Sequence, residues 1–450
     1  MIDNLKNKKI LILGLGREGI DSFKFLRKLF PDKILGVGDA LEFKRLPKKA
    51  QKLIHYENGS REIRLHLGKN YLKALKNYDV IIKTPGISPK ILKPYLKKGQ
   101  EITSQTEIFL ENCPGKVIGV TGTKGKSTAA SLIYEILKAG GIKAHLVGNI
   151  GKPVLLSLLK AKANDVYVYE LSSHQLMNLK ISSHIAVFLN IYPEHGDYYR
   201  NFNEYLKAKQ NICRWQKKED YFIYNYEDKK VRETAKITKA KKIPIYRCLN
   251  WKIKQEEIPL IGRFNLQNVA AAIEVGKIFG VDNKNIKKAI KNFKTLPHRL
   301  EFVGKFKGIK FYNDSLATIP ESTISAIDAL EKNLQTIILG GFERGQDFRK
   351  LAKRILDSNI ETVILFPTTG ERIWQEISKS LRERFSRDRR LPRHSFVDDM
   401  KEAIKLAYQF TKKGKVCLLS PASASFNLFK DYRERGNLFK KWVKNFAKNK

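Results

Sequence analysis

Cysteine is scarce and unpaired in this sequence: Cys113, Cys213, Cys248 and Cys417 stand far apart and form no Cys-x-x-Cys. That excludes a disulfide framework and a cysteine zinc site and points to a reducing cytoplasm. No apolar run approaches the roughly 20 residues that span a bilayer, so no membrane role is expected. Lysines 6, 8 and 9 precede Ile10-Leu11-Ile12-Leu13, but the run stops at Gly14 without a small-residue cleavage pattern, which reads as a first strand rather than a signal peptide. Acids are the other shortage: 45 Asp and Glu against 86 Lys and Arg leave a formal net charge of +41. Such a balance suits nucleic acid, an anionic membrane surface or polyanionic small substrates. The lysines are spread along the whole chain, as at Lys48-Lys49, Lys229-Lys230, Lys287-Lys288 and Lys412-Lys413, with no aromatic-flanked RNA-binding signature. Solvated lysine-rich faces are therefore favoured over a nucleic-acid partner.

At 450 residues the chain exceeds a single core and fits about three domains. Its centre of organisation is Gly119-Val120-Thr121-Gly122-Thr123-Lys124-Gly125-Lys126-Ser127-Thr128. An apolar run with strand character precedes it, and Ala129, Leu132, Ile133, Ile136 and Leu137 follow at helical spacing. A strand, a glycine-rich turn and a helix start direct backbone N–H groups and the positive helix end at one point, which suits a phosphate. Lys126 would reach the outer phosphates, and Ser127 or Thr128 would hold Mg²⁺. The strict P-loop spacing is not met, because Val120 stands where the first glycine belongs.

Residues 1–104 open with a strand at Ile10–Leu13 and the fingerprint Gly14-Leu15-Gly16-Arg17-Glu18-Gly19. A second strand closes at Asp39, whose carboxylate either meets a ribose or base or caps the next turn. A third strand, Val80-Ile81-Ile82, ends at Thr84-Pro85-Gly86, where open α/β sheets bind ligands, although a plain tight turn reads the same way. In residues 105–296, strands at 166–169 and 185–189 end in Glu170-Leu171-Ser172-Ser173 and Asn190-Ile191-Tyr192-Pro193-Glu194-His195. A carboxylate and a histidine at strand ends beside a phosphate loop suit Mg²⁺. Asn149 ends another short strand, and a helix with Tyr205, Lys209 and Ile212 on one face follows. Residues 297–450 alternate strands, near 309–313, 335–339, 362–366 and 415–419, with helices, which argues a parallel sheet. The charged interval 376–393 is expected to be a surface loop.

The segments at 121–128, 148–151, 170–175 and 190–197, with Tyr205-Leu206-Lys207-Ala208-Lys209, resemble the Mur ligase family, most of all its glutamate-adding members. The resemblance implies three α/β domains, each a mainly parallel sheet with flanking helices: Rossmann-like, P-loop ATPase-like and Rossmann-like. Their expected boundaries are 1–104 for the UDP-sugar, 105–296 for ATP and 297–450 for the amino acid. It further implies ATP-dependent ligation of glutamate to UDP-N-acetylmuramoyl-L-alanine through an acyl phosphate, by a cytoplasmic monomer of peptidoglycan synthesis. D-Glutamate is favoured, with L-glutamate as the alternative.

Carried over residue by residue, ATP would meet Gly122, Thr123, Lys124, Gly125, Lys126, Ser127, Thr128, Asn265, Asn268, His298, Arg299 and Asp314. Two Mg²⁺ ions would be held by Ser127 with Glu170, and by His195 with Lys209, whose family counterpart carries a carbamate. Lys126, Glu170, His195, Lys209 and Arg299 would be catalytic. The UDP-substrate would meet Gly16, Arg17, Glu18, Asp39, Thr84, Pro85, Gly86, Asn149 and His195, and glutamate would meet Thr318, Arg344, Ser425 and Tyr432. Phe264 stands where a histidine is usual, and Leu316 where a lysine is common, so one ring-nitrogen contact and one cationic contact are absent. An NAD-dependent oxidoreductase would also use the first fingerprint, but it leaves Lys126, Glu170 and His195 without a task.

Overall fold

The computed structural model describes residues 2–58, 62–196, 198–246, 258–262, 264–384 and 391–448. The chain forms two compact units, Met1–Leu249 with Gln267–Ile290, and Asn250–Leu266 with Lys291–Lys450. Three α/β domains are present, each built on one sheet: two sheets lie in the first unit and one in the second.

The first sheet comprises β1 (Ile10–Leu13), β2 (Leu35–Asp39), β3 (Ile63–Leu67), β4 (Val80–Lys83) and β5 (Glu101–Thr103) in the order β3-β2-β1-β4-β5. Every pairing is parallel. Burial on both faces is why β1 and β4 read as unbroken apolar runs. The second sheet comprises β6 (Lys116–Thr121), β7 (Ala144–Gly148), β8 (Val166–Glu170), β9 (Ile185–Phe188), β10 (Tyr221–Asn225) and β11 (Lys241–Ile245), ordered β11-β10-β9-β6-β8-β7 and again parallel throughout. Pro244 is tolerated because β11 is an edge strand. One apolar cluster runs through both domains, from Ile12, Phe23 and Leu26 to Phe109, Tyr167, Tyr169 and Phe188.

The third sheet comprises β12 (Glu301–Phe306), β13 (Ile309–Asn313), β14 (Leu334–Gly340), β15 (Thr362–Phe366), β16 (Arg393–Phe396) and β17 (Val416–Leu419), ordered β12-β13-β17-β14-β15-β16. Only the β12–β13 hairpin is antiparallel. Along β14 the side chains alternate: Ile337 and Leu339 meet Leu351, Ile355 and Ile373 on one face, while Ile338 meets Ile404, Phe439 and Val443 on the other. Each fully buried Leu or Ile contributes about 1.5–3 kcal/mol.

The expected surface loop at 376–393 is corrected over 376–384, whereas residues 385–390 lie outside the described residues. Residues 376–384 complete the helix Thr369–Arg384, and Arg393 opens β16. The charges occupy its wet side, as in the Lys379–Glu383 pair at 3.9 Å, whereas Ile373 and Ile377, one turn apart, are fully buried. Among the described residues no helix is long and apolar enough to cross a membrane.

Candidate active site

The phosphate loop joins β6 to the helix Lys126–Ala139, whose N-cap, Gly125, has φ +84°. A Cβ on Gly125 would stand 2.5 Å from the Asn268 amide oxygen, so only glycine allows that approach. Lys126 Nζ donates to the carbonyls of Gly122 and Thr123, both at 2.9 Å, and so folds back over the loop. Asn190 clamps the loop from the next strand end: its Oδ1 accepts from Lys124 N at 2.9 Å and its Nδ2 donates to Lys124 O at 3.0 Å. The Thr123 hydroxyl accepts from Tyr192 N at 2.9 Å and lies 3.0 Å from the Tyr205 hydroxyl. Ser127 and Thr128 are buried at the helix start. Gly122 to Thr128 and Asn268 are thus brought together, with Asn268 beside the loop rather than beyond it.

Glu170 ends β8 directly across from Val120 of β6. It is 4% exposed, and its Oε2 has no hydrogen-bond partner. A buried carboxylate oxygen left unsatisfied is costly without a cation or donor. Lys209, 1% exposed, donates to Gly122 O at 2.9 Å and lies 3.5 Å from Thr121 Oγ1. Burial first, then the Lys126 charge, pushes its amine well below the ordinary lysine range, against the pull of Glu194 and Glu170. His195, at φ +59°, packs edge-on to His174 at 4.8 Å and lies 5.9 Å from the Tyr205 ring, over which Lys209 Nζ sits at 5.0 Å.

Glu194 pairs with Lys124 at 3.0 Å. Burial works to raise its carboxyl, but the charges of Lys124, Lys126 and His195 hold it at about 2. Among the described residues no three His, Cys, Asp or Glu side chains converge as a ready metal cage. Mg²⁺ takes one or two carboxylates and completes its shell with water and phosphate oxygens. The unpaired Glu170 oxygen and the Ser127 hydroxyl fit such an ion.

The carboxyl end of the first sheet lies in the same unit. Gly14 has φ +95°, and a Cβ there would come within 2.1 Å of Thr84 Oγ1. A Cβ on Gly19 would meet Gly14 O at 1.8 Å, so the helix Arg17–Leu29 can start close on β1 only with glycine at 19. Asp39 is committed to backbone: Oδ2 accepts from Leu15 N at 2.7 Å and Oδ1 from Leu41 N at 2.9 Å. Of the two readings of Asp39, the turn cap describes these bonds. Arg17 donates to the carbonyls of Asn149, at 3.4 Å, and Gly151. Pro85 O accepts from Tyr198 Oη at 3.3 Å.

The Glu18 carboxylate turns inward to accept from Gln175 Nε2 at 2.7 Å. Burial pushes Glu18 up to about 7, and burial pushes Lys83, whose charge bears on it, down to about 8.

In the second unit the glutamate candidates Thr318, Arg344 and Ser425 follow the ends of β13, β14 and β17, and Tyr432 opens the helix Tyr432–Lys448. Phe342 N donates to Ala424 O at 2.8 Å, which sets Arg344, with its guanidinium carbon 5.4 Å from the Phe426 ring, near buried Ser425. Thr318 is half-buried before the helix Pro320–Leu330. The Tyr432 ring stands edge-on to His298 at 5.9 Å, and the His298 Nδ1 lies 3.0 Å from Asn313 Nδ2. Burial, then Lys440, lowers the His298 imidazole below its usual value. Asp314 accepts from Leu300 N at 3.0 Å and from Ser420 Oγ at 2.9 Å. Asn265 donates to Ile261 O at 2.8 Å, and Arg299 N donates to Leu296 O at 3.2 Å.

Four residues outside the sequence expectation shape these sites: Asn190, Glu194, Lys83 and Arg435. Arg435 is fully buried and donates to Ser315 Oγ and O and to the carbonyls of Ser423 and Ala424. A lysine ending an otherwise apolar strand was the available signal for Lys83. Nothing in the exposed-looking run Tyr432-Arg433-Glu434-Arg435 singles out Arg435.

Residues 120–248 match the Mur ligase middle domain, and residues 298–423 match the Mur ligase, glutamate ligase domain. The UDP-N-acetylmuramoylalanine--D-glutamate ligase of Acetivibrio thermocellus is 33% identical over 98% of this chain and 97% of its own length. That of Clostridium acetobutylicum is 34% identical over the same shares. The crystal structure of UDP-N-acetylmuramate-alanine ligase MurC of Thermotoga maritima, 17% identical, covers 99% of this chain and 100% of its own, with a TM-score of 0.60, a likeness of fold. With a phosphate loop, an unpaired strand-end carboxylate and a buried lysine gathered in one unit, and with relatives of this identity over nearly its whole length, the chain belongs to the Mur ligase family.

Proposed function

We propose that this protein is an ATP-dependent amide ligase that adds D-glutamate to UDP-N-acetylmuramoyl-L-alanine in cytoplasmic peptidoglycan precursor synthesis. The observation that carries the reading is the convergence at Gly122, whose carbonyl accepts from both Lys126 and Lys209 beside the half-satisfied Glu170. In this reading residues 1–104 take the UDP-sugar, 105–296 take ATP and 297–450 take the amino acid.

The substrate carboxylate attacks the γ-phosphate, giving an acyl phosphate and ADP. The amine of glutamate then adds to the acyl carbon, and phosphate leaves. Lys126, freed from the loop carbonyls, pairs with phosphate oxygens and offsets the repulsion between carboxylate and triphosphate. Arg299 stabilises charge on the transferred group, and Arg344, Ser425, Thr318 and Tyr432 hold glutamate, the guanidinium through paired hydrogen bonds. Ser127 with Glu170, and His195 with a carbamylated Lys209, would hold two Mg²⁺ ions, which supply charge neutralisation when bound. A buried lysine whose amine is pushed well down is the nucleophilic form that carbon dioxide takes up, which supports the carbamate. In this reading the chain works as a monomer.

Phosphate release with UDP-N-acetylmuramoyl-L-alanine and ATP, run separately with D- and L-glutamate, tests the proposal. Turnover with the D form is expected. Turnover with the L form alone would replace the amino-acid assignment, and turnover with neither would remove the function.

A further inference from the structure

A chain of hydrogen bonds ties the first sheet to the turn that follows Glu170. Gln175 Nε2 donates to Glu18 Oε1 at 2.7 Å, while Gln175 Oε1 accepts from Ser172 N at 2.9 Å and lies 3.0 Å from its hydroxyl. Ser172 Oγ in turn accepts from Gln175 N at 3.3 Å, so the four-residue helix Ser173–Leu176 has a reciprocal cap. A side-chain amide has one donor end and one acceptor end. Because Glu18 takes the donor end, the acceptor end must face Ser172.

That turn has little freedom of its own. Leu171 N donates to Val120 O at 2.9 Å, and Leu171 O accepts from Thr121 Oγ1 at 2.9 Å, so the residue after Glu170 is bonded on both sides to the strand that enters the phosphate loop. Displacing Ser172 therefore displaces Glu170 or β6. On the other side, Glu18 lies in the first turn of the helix Arg17–Leu29, and its Oε2 is buried without a hydrogen-bond partner. Lys83, at the end of β4, is 6% exposed and makes only a long 3.5 Å contact to Thr84 O. A carboxylate at a helix start that receives a diphosphate would repel the ligand if it faced outward. Here it is turned inward, and Lys83, Arg17 and the nearby Asp21 are the charges that bear on it. The phosphoryl transfer itself gives Glu18 no task.

We propose that Glu18, held beside Lys83, is a positioning residue for the phosphate and metal centre: it fixes the Gln175 amide and through it the Ser172 turn, so the sugar-nucleotide sheet sets the direction of Glu170. The inference rests on the function proposed above and adds a route by which a ligand at the first helix is felt at the strand end of β8.

The test compares Glu18→Ala, Glu18→Gln and Gln175→Met in the full chain. Gln at 18 keeps a carbonyl acceptor for Gln175, and Ala does not. In the unliganded protein, amide hydrogen exchange across residues 171–176 is expected to quicken about tenfold in Glu18→Ala and Gln175→Met and to stay near wild type in Glu18→Gln. In the ligation assay the first two should need about 10- to 100-fold more Mg²⁺ for half-maximal rate or lose as much in kcat.

Unchanged exchange at 171–176 in Gln175→Met, or a Glu18→Gln as impaired as Glu18→Ala, overturns the proposal. Should Glu18→Ala unfold the first sheet, seen as fast exchange through β1, Gln175→Met and Glu18→Gln decide alone. Wild-type protein inert to every glutamate would end the functional reading, while the exchange data would still judge the positioning role.

Discussion

Lys126 and Lys209 donate to the same carbonyl oxygen, that of Gly122, each at 2.9 Å. Two ammonium groups at one acceptor repel, and the effect falls on the more buried of them: burial, then the Lys126 charge, pushes the Lys209 amine well below the ordinary lysine range. Lys126→Ala should leave the fold intact and lower ligation by about 100-fold or more, as loss of a preorganised phosphate contact does. Nucleotide-induced thermal stabilisation, lost together with phosphate release, is the measurement.

The lowered amine of Lys209 predicts a dependence on dissolved carbon dioxide. Activity should fall in rigorously degassed buffer and return on adding bicarbonate, and Lys209→Ala should be inactive under both conditions. Carbon-13 NMR after equilibration with labelled bicarbonate checks for a carbamate. An enzyme equally active with and without carbon dioxide would leave Lys209 as a plain hydrogen-bond donor to Gly122.

Burial raises Glu18 from 4.5 to about 7. A carboxyl raised in the folded state adds stability in full below its unfolded value and loses it as pH climbs through the folded one. Wild type should therefore lose stability relative to Glu18→Gln between about pH 4.5 and 7, by about 3 kcal/mol at most. Lys83, lowered from 10.5 to about 8, runs the other way: its contribution is missing below about pH 8 and recovered by 10.5. Urea unfolding of both proteins at a series of pH values reads the two windows.

Among the described residues Arg435 forms no ion pair within 4 Å, and its hydrogen bonds go to carbonyls and one hydroxyl. Arg435→Met would strand the carbonyls of Ser315, Ser423 and Ala424 in a dry interior, at a cost of about 3 kcal/mol or more. A lower denaturation midpoint with a raised KM for glutamate is expected, because the same bonds shape the segment that carries Ser425.

Gly19→Ala puts a methyl group into Gly14 O. Overpacking of this kind costs about 1–3 kcal/mol, and here it would push the helix start away from β1. Affinity for UDP, measured by calorimetry without ATP, should fall while nucleotide binding at the phosphate loop stays.

The sequence disclosed most of the elements that are buried on both faces, although the interior strand β10 went unread. β1, β4, β8, β14, β15 and β17 are continuous apolar runs because helices cover both their sides. β3, β12 and β16 escaped notice because they are edges with partly exposed, polar residues such as Arg64, Lys305 and Arg393. Charge also misled at 376–384, where a polar helical face hid the buried Ile377 on the other. At the site, Lys126 and Glu170 were legible from local context alone. Lys209 was legible only through the family resemblance of Tyr205-Leu206-Lys207-Ala208-Lys209, since burial cannot be read from a single lysine. Glu18 illustrates the limit: its place in the fingerprint suggested a ligand contact, and only the tertiary arrangement shows the carboxylate turned toward Gln175.

In the third sheet the strand made last, β17, lies between β13 and β14 rather than at a margin. While the chain is being synthesised, those two neighbours each wait with an open row of backbone donors and acceptors, and some 75 residues separate β14 from the segment that will fill the slot. The nascent C-terminal part is therefore at its stickiest just before completion, when bare edges can recruit another chain's strand. Emergence of β17, rather than any earlier stage, is when this sheet closes its open edges.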